Sequence, residues 1–214
     1  MKSEDLVERL ARNLAPVRRL PSPGALMARW LLVTLPVLAA VTLMMKLRPD
    51  LAVLLVQPRF MLTEGLAAAT MLSSAYAAFC AGRPDQPVWK LFMPMAGFLL
   101  WLTALGRQCF VLSVQTDGAA LVLHADWQCV PAIAMTALVP AAAMVWLLRR
   151  SAKFRPTHAC LCGTLAAAAA AELVLPLFHA ADTMMTLLVW QMGSVALFTL
   201  LGALTARLGL NTLG

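Results

Sequence analysis

Thiol, imidazole and carboxylate side chains occur in two short stretches that lie far apart in the sequence. The first stretch carries His124, Asp126 and Cys129, and the second carries His179 and Asp182. Sulfur, nitrogen and oxygen donors of these types bind soft or borderline divalent metals. The spacing His-x-Asp-x-x-Cys matches no tight metal motif, so a metal site here depends on the fold bringing the two stretches together.

The five cysteines differ in where they lie along the chain. Cys109 and Cys129 flank a predicted loop of about twenty residues. Cys80, Cys160 and Cys162 lie at the ends of predicted helices that are on the other side of the predicted membrane from this loop. A disulfide between the first two would close that loop on an oxidising side of a membrane. Two free buried thiols are the alternative interpretation.

Two acidic residues lie within apolar stretches, where a charged side chain is costly and therefore suggests a function. These residues are Glu64 and Glu172. We expect Glu172 to find a hydrogen-bond partner among Thr186, Gln191 and Ser194. A proton or ion pathway normally needs more acidic residues than these two.

The elements that must position these residues are apolar helices. Of 214 residues, 61% are hydrophobic and 13% are charged, which excludes both a soluble globular domain and a disordered chain. A helix that crosses a bilayer needs about 20 mostly apolar residues. Six stretches qualify, and we predict an all-α membrane protein with a six-transmembrane-helix bundle over residues 30–209. The stretches are 30–47, 60–80, 89–106, 127–148, 158–178 and 184–206.

The basic residues predict the orientation of this bundle. Thirteen of the seventeen Lys and Arg residues fall on one side of the predicted membrane, and only Lys46, Arg48, Arg59 and Arg107 fall on the other. The side richer in basic residues is cytoplasmic by the positive-inside rule. We therefore place both termini in the cytoplasm, with residues 210–214 as a short tail. The net charge of +7 is then an orientation signal, and we predict no direct contact with nucleic acid.

The first 29 residues form the only sizeable soluble segment. Val7, Leu10, Leu14 and Val17 recur at intervals of three and four, which predicts a short amphipathic helix. Such a helix is marginal alone in water, so its apolar face must pack on a protein partner or on the lipid bilayer. Three acids in the first eight residues favour the protein partner over an anionic membrane surface.

Motifs of catalysis are not found in the sequence. It contains no nucleophile elbow, no zinc-protease helix motif, no phosphate-binding loop and no Cys-x-x-Cys pair. We predict that the protein is not an enzyme and needs no cofactor.

Short segments spread over almost the whole chain carry a family resemblance, and their order along the chain is the same as in that family. Together they resemble the NrsF-like family of polytopic membrane anti-sigma factors. The segments are residues 4–10, 13–20, Leu47-Arg48-Pro49-Asp50-Leu51, Pro58-Arg59-Phe60, Asp126-Trp127-Gln128-Cys129, Leu148-Arg149-Arg150, residues 179–182 and Val189-Trp190.

The resemblance implies a six-span protein that holds an extracytoplasmic-function (ECF) sigma factor at the bacterial inner membrane. It also implies that the sigma factor is released under oxidative or heavy-metal stress. The cytoplasmic segment 1–29 is the part that would bind the sigma factor. The residues that carry this role here are Leu6, Leu10, Leu14, Pro16, Val17, Arg18 and Arg19.

Sensing in the family is attributed to cysteines at the outer side, and Cys129 matches one of them. Family members often have a second cysteine directly after the histidine of the last outer loop, but here Ala180 follows His179. From the predicted topology, Cys109 takes the place of that second thiol. Two other functions stay open: a small transporter or channel that uses Glu64, Glu172 and His179, and a membrane thiol oxidoreductase that uses Cys109 and Cys129.

Overall fold

Helices form all of the regular structure in the part of the chain that the computed structural model describes, which is residues 7–8, 20–149, 154–179 and 183–211. This confirms the predicted all-α fold. Six helices are long, and we number only these. They are α1 (Pro23–Met44), α2 (Pro58–Ala81), α3 (Met93–Gln115), α4 (Cys129–Arg149), α5 (Pro156–Glu172) and α6 (Gly193–Asn211).

Shorter helical pieces connect the long helices. Three are α-helical turns at Leu51–Leu55, Leu175–Phe178 and Met184–Thr186, two are 3-10 turns at Val88–Leu91 and Ala119–Leu121, and Leu187–Met192 is a π-helical segment that leads into α6.

Five helical stretches are long and apolar enough to cross a membrane. They are Pro23–Met44, Val88–Gln115, Cys129–Arg149, Pro156–Phe178 and Met184–Thr205. The chain is thus a membrane protein by length and composition of its helices. The sixth predicted span corresponds to α2, which has 24 residues but also the acidic Glu64 and the polar Thr63, Thr70, Ser73 and Ser74 along its length. These polar residues lower its hydropathy, so α2 as a span stays a prediction.

The first span begins earlier than its apolar run predicts. The Ser22 hydroxyl accepts a hydrogen bond from the amide of Ala25 at 3.2 Å, and Pro23 occupies the first turn of α1, where a missing N–H is harmless. The Pro-Ser-Pro-Gly stretch at 21–24 therefore starts the helix. Residues 23–29 therefore belong to the helix α1.

The third span ends later than predicted. α3 continues past Arg107 to Gln115, because Leu105 and Cys109 lie four residues apart and are both buried on one face. Cys109 is therefore inside α3 and not at a junction between helix and loop, as the sequence had suggested. The fifth span, in contrast, breaks at Glu172, shortly before Pro176, which cannot continue an α-helical hydrogen-bond pattern.

The alanine-rich α5 lies at the centre of the bundle. Residues 166–171 are all alanine and at most 2% exposed, and α2, α4 and α6 pack around them. A methyl group at Gly202 of α6 would overlap the side chain of Thr164, so only glycine allows this close approach.

The connections define two ends of the bundle. At the end where α1 begins, which we call the proximal end, the Arg83 guanidinium donates to the carbonyl of Pro21, and the amide of Arg155 donates to the carbonyl of Ala81. At the opposite or distal end lie residues 45–57, 116–128 and the described parts of 173–192. The two stretches with candidate metal ligands are both at the distal end.

Candidate functional site

Asp126, Cys129 and His179 meet at the distal end and form what we call the distal cluster. Cys129 Sγ lies 2.9 Å from Asp126 Oδ2 and 3.2 Å from His179 Nε2. His179 Nε2 lies 2.9 Å from the same Asp126 oxygen. The fold thus joins the two stretches of donor residues, which are 50 positions apart between Cys129 and His179.

Local turns hold each member of the distal cluster. The amide of Cys129 donates to the main-chain carbonyl of Asp126 at 3.1 Å, which turns both side chains to the same side at the start of α4. In the second segment of the site, the amide of His179 donates to the carbonyl of Leu175 at 2.8 Å, and the short helix Leu175–Phe178 ends there. His179 is extended at this point, so its ring reaches across to α4.

The carboxylate of Asp126 is the electrostatic centre of the cluster. Burial raises its pKa, but hydrogen bonds from Cys129 and His179 outweigh that effect and leave the pKa below its ordinary value. Asp126 is therefore ionised at neutral pH and attracts a cation without first losing a proton.

The distal cluster has the donor set of a zinc-type metal site. One sulfur, one nitrogen and one oxygen donor lie within 4.8 Å of one another. Thiolate, imidazole and carboxylate together suit soft or borderline divalent ions, and three protein ligands leave one coordination position open. The Cys129 side chain is buried, whereas Asp126 and His179 keep 17% and 29% of their side-chain surface exposed. An ion can therefore approach from the side of these two residues.

The loop before the cluster is tied to the last helical stretch. The amide of His124 donates to Thr186 Oγ1 at 3.1 Å, and the indole of Trp190 donates to the carbonyl of His124 at 3.0 Å. The Thr183 hydroxyl also donates to the carbonyl of Val122 at 2.7 Å. Trp190 lies in the π-helical segment, where the wider turn changes the direction of the side chains, as often happens at functional sites.

Arg48 connects the end of α1 to the distal cluster. Its amide donates to the carbonyl of Leu177 at 3.0 Å, and its guanidinium lies 3.5 Å from the carbonyl of His179. The same guanidinium pairs with Asp50 at 2.7 and 2.9 Å. The chain that leaves α1 is thus bonded to the main chain of Leu177 and to that of the cluster histidine, His179.

A second bond ties α1 to α4 deeper in the bundle. The indole N–H of Trp30 donates to the carbonyl of Pro140 at 2.9 Å, and the Trp30 side chain is fully buried. Because Cys129 is the first residue of α4, α1 is linked to both of the chain segments that form the distal cluster.

A cavity of about 820 Å³ lies beside the distal cluster. It is lined by His124 and His179 and, deeper, by Glu64 and Glu172. Contrary to our expectation, Oε1 of the buried Glu172 makes no hydrogen bond to any described residue. In the same region Thr186 bonds to the chain near residues 124 and 183, and Ser194 donates to the carbonyl of Trp190.

The other predicted site residues lie elsewhere. His124 contributes its main chain to the site, and its ring is not part of the ligand cluster. Cys109 is buried in α3, and neither Cys109 nor Cys129 forms a disulfide. Asp182 lies outside the described residues, as do the residues predicted to bind a sigma factor. These are Leu6, Leu10, Leu14, Pro16, Val17, Arg18 and Arg19.

Two residues that bond to the segments of the distal cluster, Arg48 and Trp30, were not predicted as site residues. From the sequence, Arg48 is only one of the few basic residues on the outer side, although the acid two positions later is a signal for a local ion pair. Trp30 reads as an interfacial aromatic at a helix start, and nothing in the sequence indicates its partner in α4.

Comparisons with known proteins give one family. The model of the NrsF family, described as negative regulator of sigma F, matches residues 10–211, which is nearly the whole chain. No curated protein and no solved structure matches the chain.

Proposed function

The chain belongs to the NrsF family, the negative regulators of sigma F, and on that basis we propose that it is a membrane anti-sigma factor that holds an ECF sigma factor at the bacterial inner membrane. Five helices long and apolar enough to cross a bilayer support the membrane location. The excess of basic residues at the proximal end supports a cytoplasmic N-terminus. The sigma factor would then meet the protein at the proximal end.

The segment ahead of α1 is the part proposed to bind the sigma factor. Val7 is the one described residue of the predicted apolar stripe, and its side chain is 65% exposed. An exposed apolar stripe on a short helix is suited to a groove on a partner protein. Binding of this kind needs no catalytic group, because covering the polymerase-binding surface of a sigma factor is enough to inactivate it.

The observation that carries the proposed signal is the distal cluster. Its members are one thiol, one imidazole and one carboxylate, with the second candidate thiol, Cys109, free on another helix. We therefore take capture of a heavy-metal ion by Asp126, Cys129 and His179 as the signal that releases the sigma factor. Oxidation of Cys129 is the alternative signal.

The geometry suggests how capture would act on the proximal end. The cluster atoms lie 2.9 to 3.2 Å apart and contact one another directly. An ion held by all three side chains would replace these contacts and change how α4 and the 173–179 connection pack. Both are bonded to α1, through Trp30 and Arg48, and α1 continues directly from the segment that holds the sigma factor.

The proposed partner is tested by crosslinking in living cells. A photoreactive amino acid placed at Leu10, on the apolar stripe, is expected to crosslink to an ECF sigma factor identified by mass spectrometry. The same group at Arg12, on another face of the predicted helix, serves as the matched control and is expected to crosslink much less.

Crosslinks from Leu10 to lipid, with no sigma factor bound to the full-length protein, would overturn the proposed partner. Substitution Leu10→Asp in the full-length chain is expected to remove co-purification of the sigma factor, since it puts a charge in the apolar stripe.

A further inference from the structure

The cavity at the distal end has the size and walls of a site for a small organic molecule. Its volume of about 820 Å³ falls within the range of roughly 300–1,000 Å³ that is usual for such sites. Phe60 of α2 and Trp101 and Leu105 of α3 line one part of it, and Leu187 of the π-helical segment lines another. A ligand with an apolar body would contact aromatic rings on two helices.

The deep part of the cavity is acidic. Glu172 lines it, is 2% exposed and leaves Oε1 without a hydrogen-bond partner among the described residues. Glu64 lines the same cavity from α2 and is near enough to interact electrostatically with Glu172. A buried carboxyl oxygen without a partner is costly, so this position favours a ligand that brings a positive charge or a hydrogen-bond donor.

The positive residues at the cavity do not neutralise this acidic floor. Arg48 is already paired with Asp50, and Arg59 is an exposed residue in the first turn of α2. Solvent and salt screen the charge of such an exposed guanidinium.

From these observations we propose that the cavity binds an amphipathic organic cation, with its apolar body against Trp101 and Phe60 and its charge at Glu172 and Glu64. Aromatic faces and carboxylates together are the usual environment of organic cations in proteins. A bare metal ion fits less well. Within the described residues no third His, Cys, Asp or Glu donor converges on Glu64 and Glu172, whereas three converge in the distal cluster. The cavity is also far larger than one ion.

The test compares two probes of nearly the same shape and opposite charge. The full-length protein in lipid nanodiscs is titrated with tetraphenylphosphonium or with tetraphenylborate, and binding to empty nanodiscs is subtracted. Saturable binding of the phosphonium and none of the borate is expected. Glu172→Gln keeps the shape but cannot ionise when a cation binds, so it is expected to weaken phosphonium binding at least about tenfold.

Glu64→Gln is expected to weaken binding in the same direction and decides the outcome if Glu172→Gln does not yield a folded protein. Asp85→Asn removes an exposed acid near the proximal end and is the control that should bind like the unmodified protein. Unchanged phosphonium affinity in the Glu64 and Glu172 variants, or equal binding of the borate, would overturn the proposal. Binding of Mn²⁺ that depends on Glu172, without phosphonium binding, would make the site a metal site and equally reject it.

Discussion

Two regions at the distal end hold carboxylates in opposite ways. In the distal cluster Asp126 receives contacts from Cys129 and His179 at 2.9 Å. In the cavity next to it, Oε1 of Glu172 has no partner in the described structure. The members of the cluster thus satisfy one another, and an ion that binds there must replace their mutual contacts. At the cavity floor the Glu172 oxygen lacks a partner, so a ligand that supplies one would stabilise it.

The contrast indicates which of the two regions is suited to a switch. A ligand shifts a conformational equilibrium only when it binds one state better than the other. An ion that enters the distal cluster must replace the contacts among its members, so it favours a rearranged state. A cation at the cavity floor fits the state already present and would stabilise it.

The largest expected effect comes from removing the thiol of the cluster. Cys129→Ser replaces a sulfur ligand with a weakly binding hydroxyl, and we expect the affinity for Cd²⁺ to fall by at least the roughly 100-fold that loss of supporting groups at metal sites can cause. Isothermal titration of the purified protein measures it. Cys160→Ser, at the start of α5, is the matched control and should bind Cd²⁺ normally. If Cys129→Ser also binds normally, the distal cluster is not a metal site.

The next effect tests the close packing of α6 on α5, the helix that ends at the cavity floor. Gly202→Val would force a side chain into Thr164 and separate α6 from α5, which carries Glu172. Overpacking of this kind costs up to about 3 kcal/mol. We expect a lower Tm in detergent, partly restored by the second substitution Thr164→Ala. An unchanged Tm would show that α5 and α6 are not as close as described.

A third experiment compares the two carboxylates directly. Glu172→Met replaces an unpartnered buried oxygen with an apolar group and is expected to stabilise the protein by about 1–2 kcal/mol. Asp126→Asn removes a satisfied carboxylate and is expected to destabilise it. Thermal unfolding of both variants in the same detergent shows whether each substitution raises or lowers Tm. Two shifts in the same direction would contradict the contrast between the regions.

The smallest effect concerns Asp50, a carboxylate that has a partner but is exposed. The hydrogen bond from Arg48 lowers its pKa below the ordinary value. The pair therefore contributes stability above the ordinary pKa of about 3.9, and this contribution is lost as pH falls through the lowered pKa of the folded state. Asp50→Asn should flatten the dependence of Tm on pH in this acidic range. A curve identical to that of the unmodified protein would show that the ion pair does not affect stability.

Much of the fold follows from the sequence because apolar helices of span length leave a clear pattern. The ends of the helices are harder to predict, because a charged residue or a proline can lie at a helix end in one environment and not in another. Arg107 reads as the end of a span, but the burial of Leu105 and Cys109 carries α3 beyond it. The first apolar stretch starts at residue 30, but with Ser22 as the cap the helix α1 begins already at Pro23.

The residue types of the candidate site can be predicted from the sequence, but their neighbours cannot. Asp126 and Cys129 are close in sequence, so a shared site for them is a local inference. That His179 joins them, and His124 does not, depends on where the turn after Leu175 places its ring. The bond from Trp30 to Pro140 spans 110 positions and leaves no pattern in the sequence.

The central claim is that metal capture at the distal cluster releases a sigma factor at the proximal end. The direct measurement uses the full-length protein in nanodiscs with its sigma factor bound, and follows the released sigma factor as Cd²⁺ is added. We predict release from the unmodified protein and from Cys160→Ser, and retention by Cys129→Ser. Release from Cys129→Ser at the same Cd²⁺ concentration, or retention by the unmodified protein when Cd²⁺ is bound, would contradict the claim.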